Sequence, residues 1–242
     1  MSSPKTPAIF YLLPEDTGGD AVPILQHLLE AMFNQLQPAW RLIINPIYRP
    51  TPETVRNMSR QDQWKARSRP HAQDYAAFIA TRLLLKEFVV VSMDSDEPWS
   101  KCKGAAPCQN MRQFDELVVT RVKAHLAQRN MPEAFSHLLC IVPYHNRESW
   151  VFQNFAEAER ILSENPRHSH LWKALTDTFG TDRALLDDEA FLKRDFEPLA
   201  KVSLRMVSRS WPSAEVYRLG ASFTRGVEDL RKSDALLSLL SL

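Results

Sequence analysis

The run Phe88-Val-Val-Val-Ser-Met93, almost wholly apolar and stopped at once by Asp94-Ser95-Asp96, restricts the fold of this chain more than any other feature. A run with no alternation does not suit a sheet with one wet face; it suits a strand buried on both faces, as in the middle of a parallel sheet. Parallel strands need long crossover connections, which are usually helices. The chain supplies both partners. Ala8–Leu13 and His137–Val142 are further short apolar runs, ended by Pro14 and Pro143. Between them, Ala21–Leu36 repeats Val22, Leu25, Leu28, Leu29, Met32, Phe33 and Leu36 at helical spacing. Arg41–Tyr48 predicts a strand that Pro46 pushes towards a sheet edge. Ala72–Leu85 predicts a helix, and Met111–Arg129 an amphipathic one with Phe114, Leu117, Val118, Val122 and Leu126 on one face.

This alternation defines an α/β class, a mostly parallel sheet flanked by helices. From about Ser149 the period is helical, with turn signals at Asn165-Pro166, Gly180 and Trp211-Pro212. The expected organisation is an α/β domain over residues 6–160 with a helical C-terminal part, 161–242, packed on it. The N-terminal part offers too few helices to cover both sheet faces, so Phe152, Phe155, Ile161, Leu162, Leu171, Trp172 and Leu175 are expected to cover apolar surface.

Composition narrows the function classes. At 242 residues, 44% hydrophobic and 24% charged, the chain is neither collagen-like nor wholly disordered. A formal net charge of +1 excludes a polybasic protein, while leaving room for a nucleic-acid binder with its positive charge on one face. Arg49, Arg56, Arg60, Lys65, Arg67, Arg69 and Arg82 form the most basic stretch, read either as solvated surface or as an arm facing phosphates. Three cysteines cannot all pair, and no apolar leader follows a basic start, which points to a reducing, cytoplasmic setting. No 18-residue apolar run is present to span a membrane.

Parallel sheets place functional groups at the carboxyl ends of strands, which here selects Glu15–Asp20, Asp94–Asp96 and His145–Glu148. Carboxylates gathered there repel one another unless a cation lies between them, and hard oxygen ligands suit Mg²⁺ or Mn²⁺. In Asp94-Ser95-Asp96 the first and third residues can turn to the same ion, and Glu15 is the natural third ligand. A ligand at a strand end lies outside the core, so without an ion Asp94→Ala is expected to leave the fold no less stable. Glu148 opens a helix, where an acid is either a bland first-turn residue or a metal or partner contact. Asp20 is read as the cap of the helix from Ala21. Cys102 and Cys108, with His125 or His145, lack a usual zinc spacing, and Cys140 reads as core. Lys193 and Arg194, before Phe196, read as a solvated helix face over a phosphate contact. Ser222-Phe223-Thr224-Arg225 reads as a helix start that buries Phe223 and exposes Arg225.

Phe10–Asp20, Val89–Asp96, Glu148-Ser149-Trp150-Val151 and Ser222-Phe223-Thr224-Arg225, in that order along the chain, resemble the Toprim (topoisomerase-primase) fold. They look most like the small stand-alone Toprim proteins of bacterial defence loci, relatives of the Toprim nuclease domain of OLD proteins. One departure is visible: Toprim nucleases usually place glycine directly after the glutamate, whereas Asp16 and Thr17 precede Gly18 here. The resemblance implies that Glu15 is the Toprim glutamate, serving as metal ligand or general acid-base, and that Asp94 and Asp96 bind a catalytic Mg²⁺. It implies a metal-dependent endonuclease acting on DNA or RNA in anti-phage defence, with an ABC or SMC-like ATPase as partner; self-association is left open. The alternative is a non-catalytic subunit on the same fold that docks such an ATPase or senses nucleic acid. A lysine or arginine plugging the site would favour that alternative.

Overall fold

The computed structural model describes residues 5–15, 18–65, 70–97, 107–144, 147–164, 197–208, 211–219 and 222–242, with residues 170, 173, 177 and 186 placed singly. Its centre is a sheet of four parallel strands: β1 (Thr6–Pro14), β2 (Ile44–Arg49), β3 (Phe88–Ser92) and β4 (Leu138–Ile141), in the order β2-β1-β3-β4. β3 is buried along its whole length, as its unbroken apolar run requires. Side chains alternate between faces along each strand. Phe10 and Leu12 of β1 and Phe88 and Val90 of β3 enter one core, while Tyr11, Leu13, Val89 and Val91 enter a second on the other face.

Strand order dictates where the helices go. The step from β1 to β2 runs one way along the sheet, and the steps from β2 to β3 and from β3 to β4 run the other way. Because parallel crossovers are right-handed, reversing direction moves the connecting helix to the opposite face. Accordingly α1 (Ala21–Leu36) lies in the first core. The second takes α5 (Pro70–Leu84), α6 (Gln109–Phe114) and α7 (Thr120–Gln128). α6 and α7 are joined by a π-helical turn over Asp115–Val119, which the periodicity of 111–129 did not reveal.

Two local readings are corrected, the strand start at Arg41 and the cap at Asp20. The strand expected from Arg41 starts only at Ile44, because Trp40–Ile43 is a helical turn, α2, with Trp40 buried. Pro46 sits in β2 opposite Ala8, on the sheet edge, where a missing N–H breaks no inner ladder. The basic stretch contains two further short helices, α3 (Glu53–Ser59) and α4 (Gln61–Trp64). Asp20 stands before α1, but its side chain makes no capping hydrogen bond. Pro23 is accommodated because a first-turn N–H has no helical partner to lose.

One crossover helix cannot cover a face, and the C-terminal segments complete it. α8 (Glu148–Val151), α9 (Phe155–Ser163), α10 (Glu197–Ser208), α11 (Ser213–Arg218), α12 (Ser222–Leu230) and α13 (Asp234–Leu239) all contribute side chains to the first core. Trp150 meets the Phe223 ring edge-on at 5.4 Å, and Trp211 meets the same ring at 4.8 Å. The Trp150 indole N–H donates to the Ser222 hydroxyl, so Glu148–Val151 and Ser222–Arg225 are spatial neighbours. Phe223 is fully buried, and Arg225 is half-exposed and paired with Asp229 at 3.1 Å. Of the other expected cover residues, Phe152 and Ile161 are buried and Phe155 is partly so, while Leu171, Trp172 and Leu175 and the side chain of Leu162 lie outside the described residues.

A close approach in this layer is at Gly226. A Cβ there would lie 2.9 Å from Met32 Cε and 3.0 Å from the Trp150 ring. The methionine end can move; the buried indole cannot. Gly226→Leu is therefore expected to cost about 1–3 kcal/mol of overpacking, read by circular dichroism as a fall in Tm of roughly 2–4 °C per kcal/mol. An unchanged Tm would show that α12 does not lie against Trp150.

Candidate functional site

The direction reversal in strand order falls between β1 and β3, and α/β sheets open a crevice at the carboxyl ends of the strands at such a point. Glu15 is the first residue beyond β1, and Asp94 the second beyond β3. The ladder continues past the strand ends: Glu15 N–H donates to the Ser92 carbonyl at 2.9 Å, Met93 N–H to Ile141 at 3.1 Å, and Ser95 N–H to Pro143 at 2.9 Å. The acids therefore stand on backbone fixed by the sheet.

Asp94-Ser95-Asp96 leaves the sheet one residue after the end of β3. Ser95 is buried, and its hydroxyl donates to the Glu97 carbonyl at 2.8 Å and accepts from the Glu97 N–H at 3.1 Å. Its neighbours are half-buried Asp94 and exposed Asp96. Asp96 takes a left-handed φ of 57°, which aspartate tolerates better than most residues.

A hydrogen-bond network ties the three acids together. Glu15 Oε2 accepts from the Asp94 N–H at 2.9 Å and from Gln61 Nε2 at 2.8 Å. The Asp94 carbonyl accepts from Gln61 Nε2 at 2.9 Å and from Asn110 Nδ2 at 2.7 Å. Asn110 Nδ2 also reaches Asp96 Oδ2 at 3.1 Å. Asp94 Oδ1 accepts from the Arg147 N–H at 3.1 Å. The fourth expected ligand, Glu148, joins less directly: its carboxylate lies 3.4 Å from the Arg147 guanidinium, and Arg147 contacts Asp94 through its backbone. Gln61 and Asn110 had no signal in the sequence, because a neutral amide has no characteristic spacing, whereas Arg147 lies within the His145–Glu148 cluster selected at the end of the fourth strand.

Donor chemistry and placement give different answers for a cation. An all-carboxylate oxygen set suits Mg²⁺ or Mn²⁺. Yet among the described residues no group of three His, Cys, Asp or Glu side chains converges to hold a metal ion. The zinc alternative has little to stand on: Cys108 is buried with its thiol pushed up by desolvation, and Cys140 lies in β4. Cys102 and His145, like Lys193, Arg194 and Phe196, lie outside the described residues.

Among the described residues, the cations of the basic stretch differ in their surroundings. Arg49 is exposed at the end of β2, and Arg60 pairs with Asp62 at 3.0 Å. Arg82 lies 4.8 Å from the Tyr11 ring and 3.5 Å from Glu87, turned to the protein rather than to a ligand. Arg67 and Arg69 lie outside the described residues. Among the described residues no helix is long and apolar enough to cross a membrane.

The fold and this network define a class, an α/β protein whose parallel sheet carries hydrogen-bonded acidic residues at its switch point. Comparison with protein-family models, with curated proteins and with solved structures gave no match.

Proposed function

We propose that this crevice is a Toprim-type site for metal-dependent cleavage of nucleic-acid phosphodiesters. The observation that carries the reading is the junction of Glu15 and Asp94 across the switch point, made by a 2.9 Å hydrogen bond from the Asp94 N–H. Glu15, Asp94 and Asp96 are the residues that would hold Mg²⁺ or Mn²⁺, although their carboxylates do not converge in this structure and would have to draw together to do so; such an ion would polarise a phosphate. The chain itself keeps its acids aimed: Gln61 orients Glu15, and Asn110 orients Asp96. Arg147 brings positive charge beside Glu148. The resemblance adds a defence role and an ABC or SMC-like ATPase as partner.

A second reading, a non-catalytic subunit that docks a partner or senses nucleic acid, draws on the cations among the acids. Lys65 and Arg147 both belong to the network. One assay separates the two: labelled single- and double-stranded DNA and RNA incubated with the purified protein in Mg²⁺, Mn²⁺ or chelator. Cleavage that chelator abolishes is expected from the nuclease; binding without cleavage in every condition, with and without an added ABC or SMC-like ATPase, would leave the docking subunit.

A further inference from the structure

Lys65 belongs by sequence to the basic stretch, but its ammonium points into the protein. It donates to Gln61 Oε1 and to Asn110 Oδ1, and lies 5.3 Å from the buried Trp64 ring. Both amides are themselves buried, Gln61 at 8% exposure and Asn110 at 6%. Each therefore has its oxygen on the lysine and its NH₂ on the acids. Gln61 Nε2 serves Glu15 and the Asp94 carbonyl, while Asn110 Nδ2 serves Asp96 and the same carbonyl.

A carboxamide has two nearly isosteric orientations, and surroundings decide between them. Flipping either one here would set a carbonyl oxygen against the acids and an NH₂ against an ammonium. Charge-assisted hydrogen bonds are about twice as strong as neutral ones, so the lysine imposes one orientation on both amides at once. The turn of α4 makes this possible, since Gln61 opens it and Lys65 caps its end one helical turn later.

We propose that Lys65 is a positioning residue: through the oxygens of Gln61 and Asn110 it locks both NH₂ groups onto Glu15, Asp96 and the Asp94 carbonyl. It acts on the acids through the two amides and is not one of the phosphate contacts of the basic stretch. The brace itself follows from these contacts alone; its kinetic consequence rests on the reading of this crevice as a phosphodiester-cleaving site.

The test compares the full chain with Lys65→Met and Lys65→Arg. In the wild type, NMR exchange of the Gln61 and Asn110 side-chain NH₂ protons is expected to be about tenfold or more slower than at exposed Gln128. In Lys65→Met it should rise by about tenfold or more at both residues together, as a charged hydrogen bond is lost from each. Lys65→Arg should recover most of the protection. Fast exchange already in the wild type, or protection unchanged in Lys65→Met, would overturn the brace, and the wild-type arm decides even if Lys65→Met fails to fold.

In cleavage assays, Lys65→Met should lose up to about 100-fold in kcat with little change in KM, as misplaced reacting groups do. The salt slope of nucleic-acid binding should stay constant, whereas a lost phosphate contact would lower it by roughly 0.7 to 0.9. A lowered slope with kcat intact would make Lys65 a phosphate ligand and overturn the assignment. If the wild type cleaves nothing, the nuclease reading fails while amide exchange still decides the brace.

Discussion

Residues 1–148 expressed alone should be insoluble, or soluble without a cooperative thermal transition. The reason lies in strand order: a single crossover helix, α1, covers the face on which Phe10, Leu12, Val90, Leu139 and Ile141 lie. Much of that core is built from Trp150, Phe152, Met206, Trp211, Phe223, Val227 and Leu236, all beyond the truncation. Each large apolar side chain is worth about 1.5–3 kcal/mol when fully buried. Losing this many would match or exceed the roughly 5–15 kcal/mol that holds a domain folded. The measurement is solubility and circular-dichroism melting of the fragment beside the full chain. A soluble fragment with a sharp transition would show that the C-terminal helices are a detachable module and that the shared core is not needed.

Asp94→Ala should lower divalent-dependent cleavage by at least about 100-fold, since losing a metal ligand forfeits several kcal/mol of charge stabilisation and each 1.36 kcal/mol is tenfold in rate. Its effect on stability reverses the expectation drawn from sequence, where relief of repulsion left the apo protein no weaker. Asp94 Oδ1 accepts from the Arg147 N–H, so alanine strips a partner from a backbone donor beside α8. The expected cost is about 1 kcal/mol, seen as a lower urea midpoint at unchanged m-value. Asp94→Asn should cost less stability, since its amide oxygen can still accept, yet lose cleavage as fully. Full activity in either variant, purified free of host nucleases, would remove Asp94 from the site.

Legibility in the sequence followed the length of each apolar pattern. β3 was readable because burial on both faces leaves no room for polar residues, and α1 because four turns repeat the same stripe. Short elements escaped: α2, α3 and α4 are too brief for a helical period to repeat, so their residues read as the start of a strand and as a basic surface without assigned elements. The turn holding Asp94 and Asp96 was legible because it directly follows an unmistakable strand. What aims the acids was not. Gln61 reaches Glu15 from 46 residues away and Asn110 reaches Asp96 from 14, contacts set by tertiary packing rather than local spacing. Lys65 shows the limit of composition most sharply, since the charge run that suggested a phosphate arm contains a lysine held inward by two amides.

The most direct test of the central claim is Mn²⁺ binding, followed by electron paramagnetic resonance on the purified full chain, the wild type beside Asp94→Asn and Asp96→Asn. The expected result is saturable binding by the wild type, displaced by Mg²⁺ and weakened at least about tenfold in each variant, as removal of one charged ligand requires. Wild-type and variant proteins that bind Mn²⁺ equally, or a wild type that cleaves nucleic acid while binding none, would contradict it.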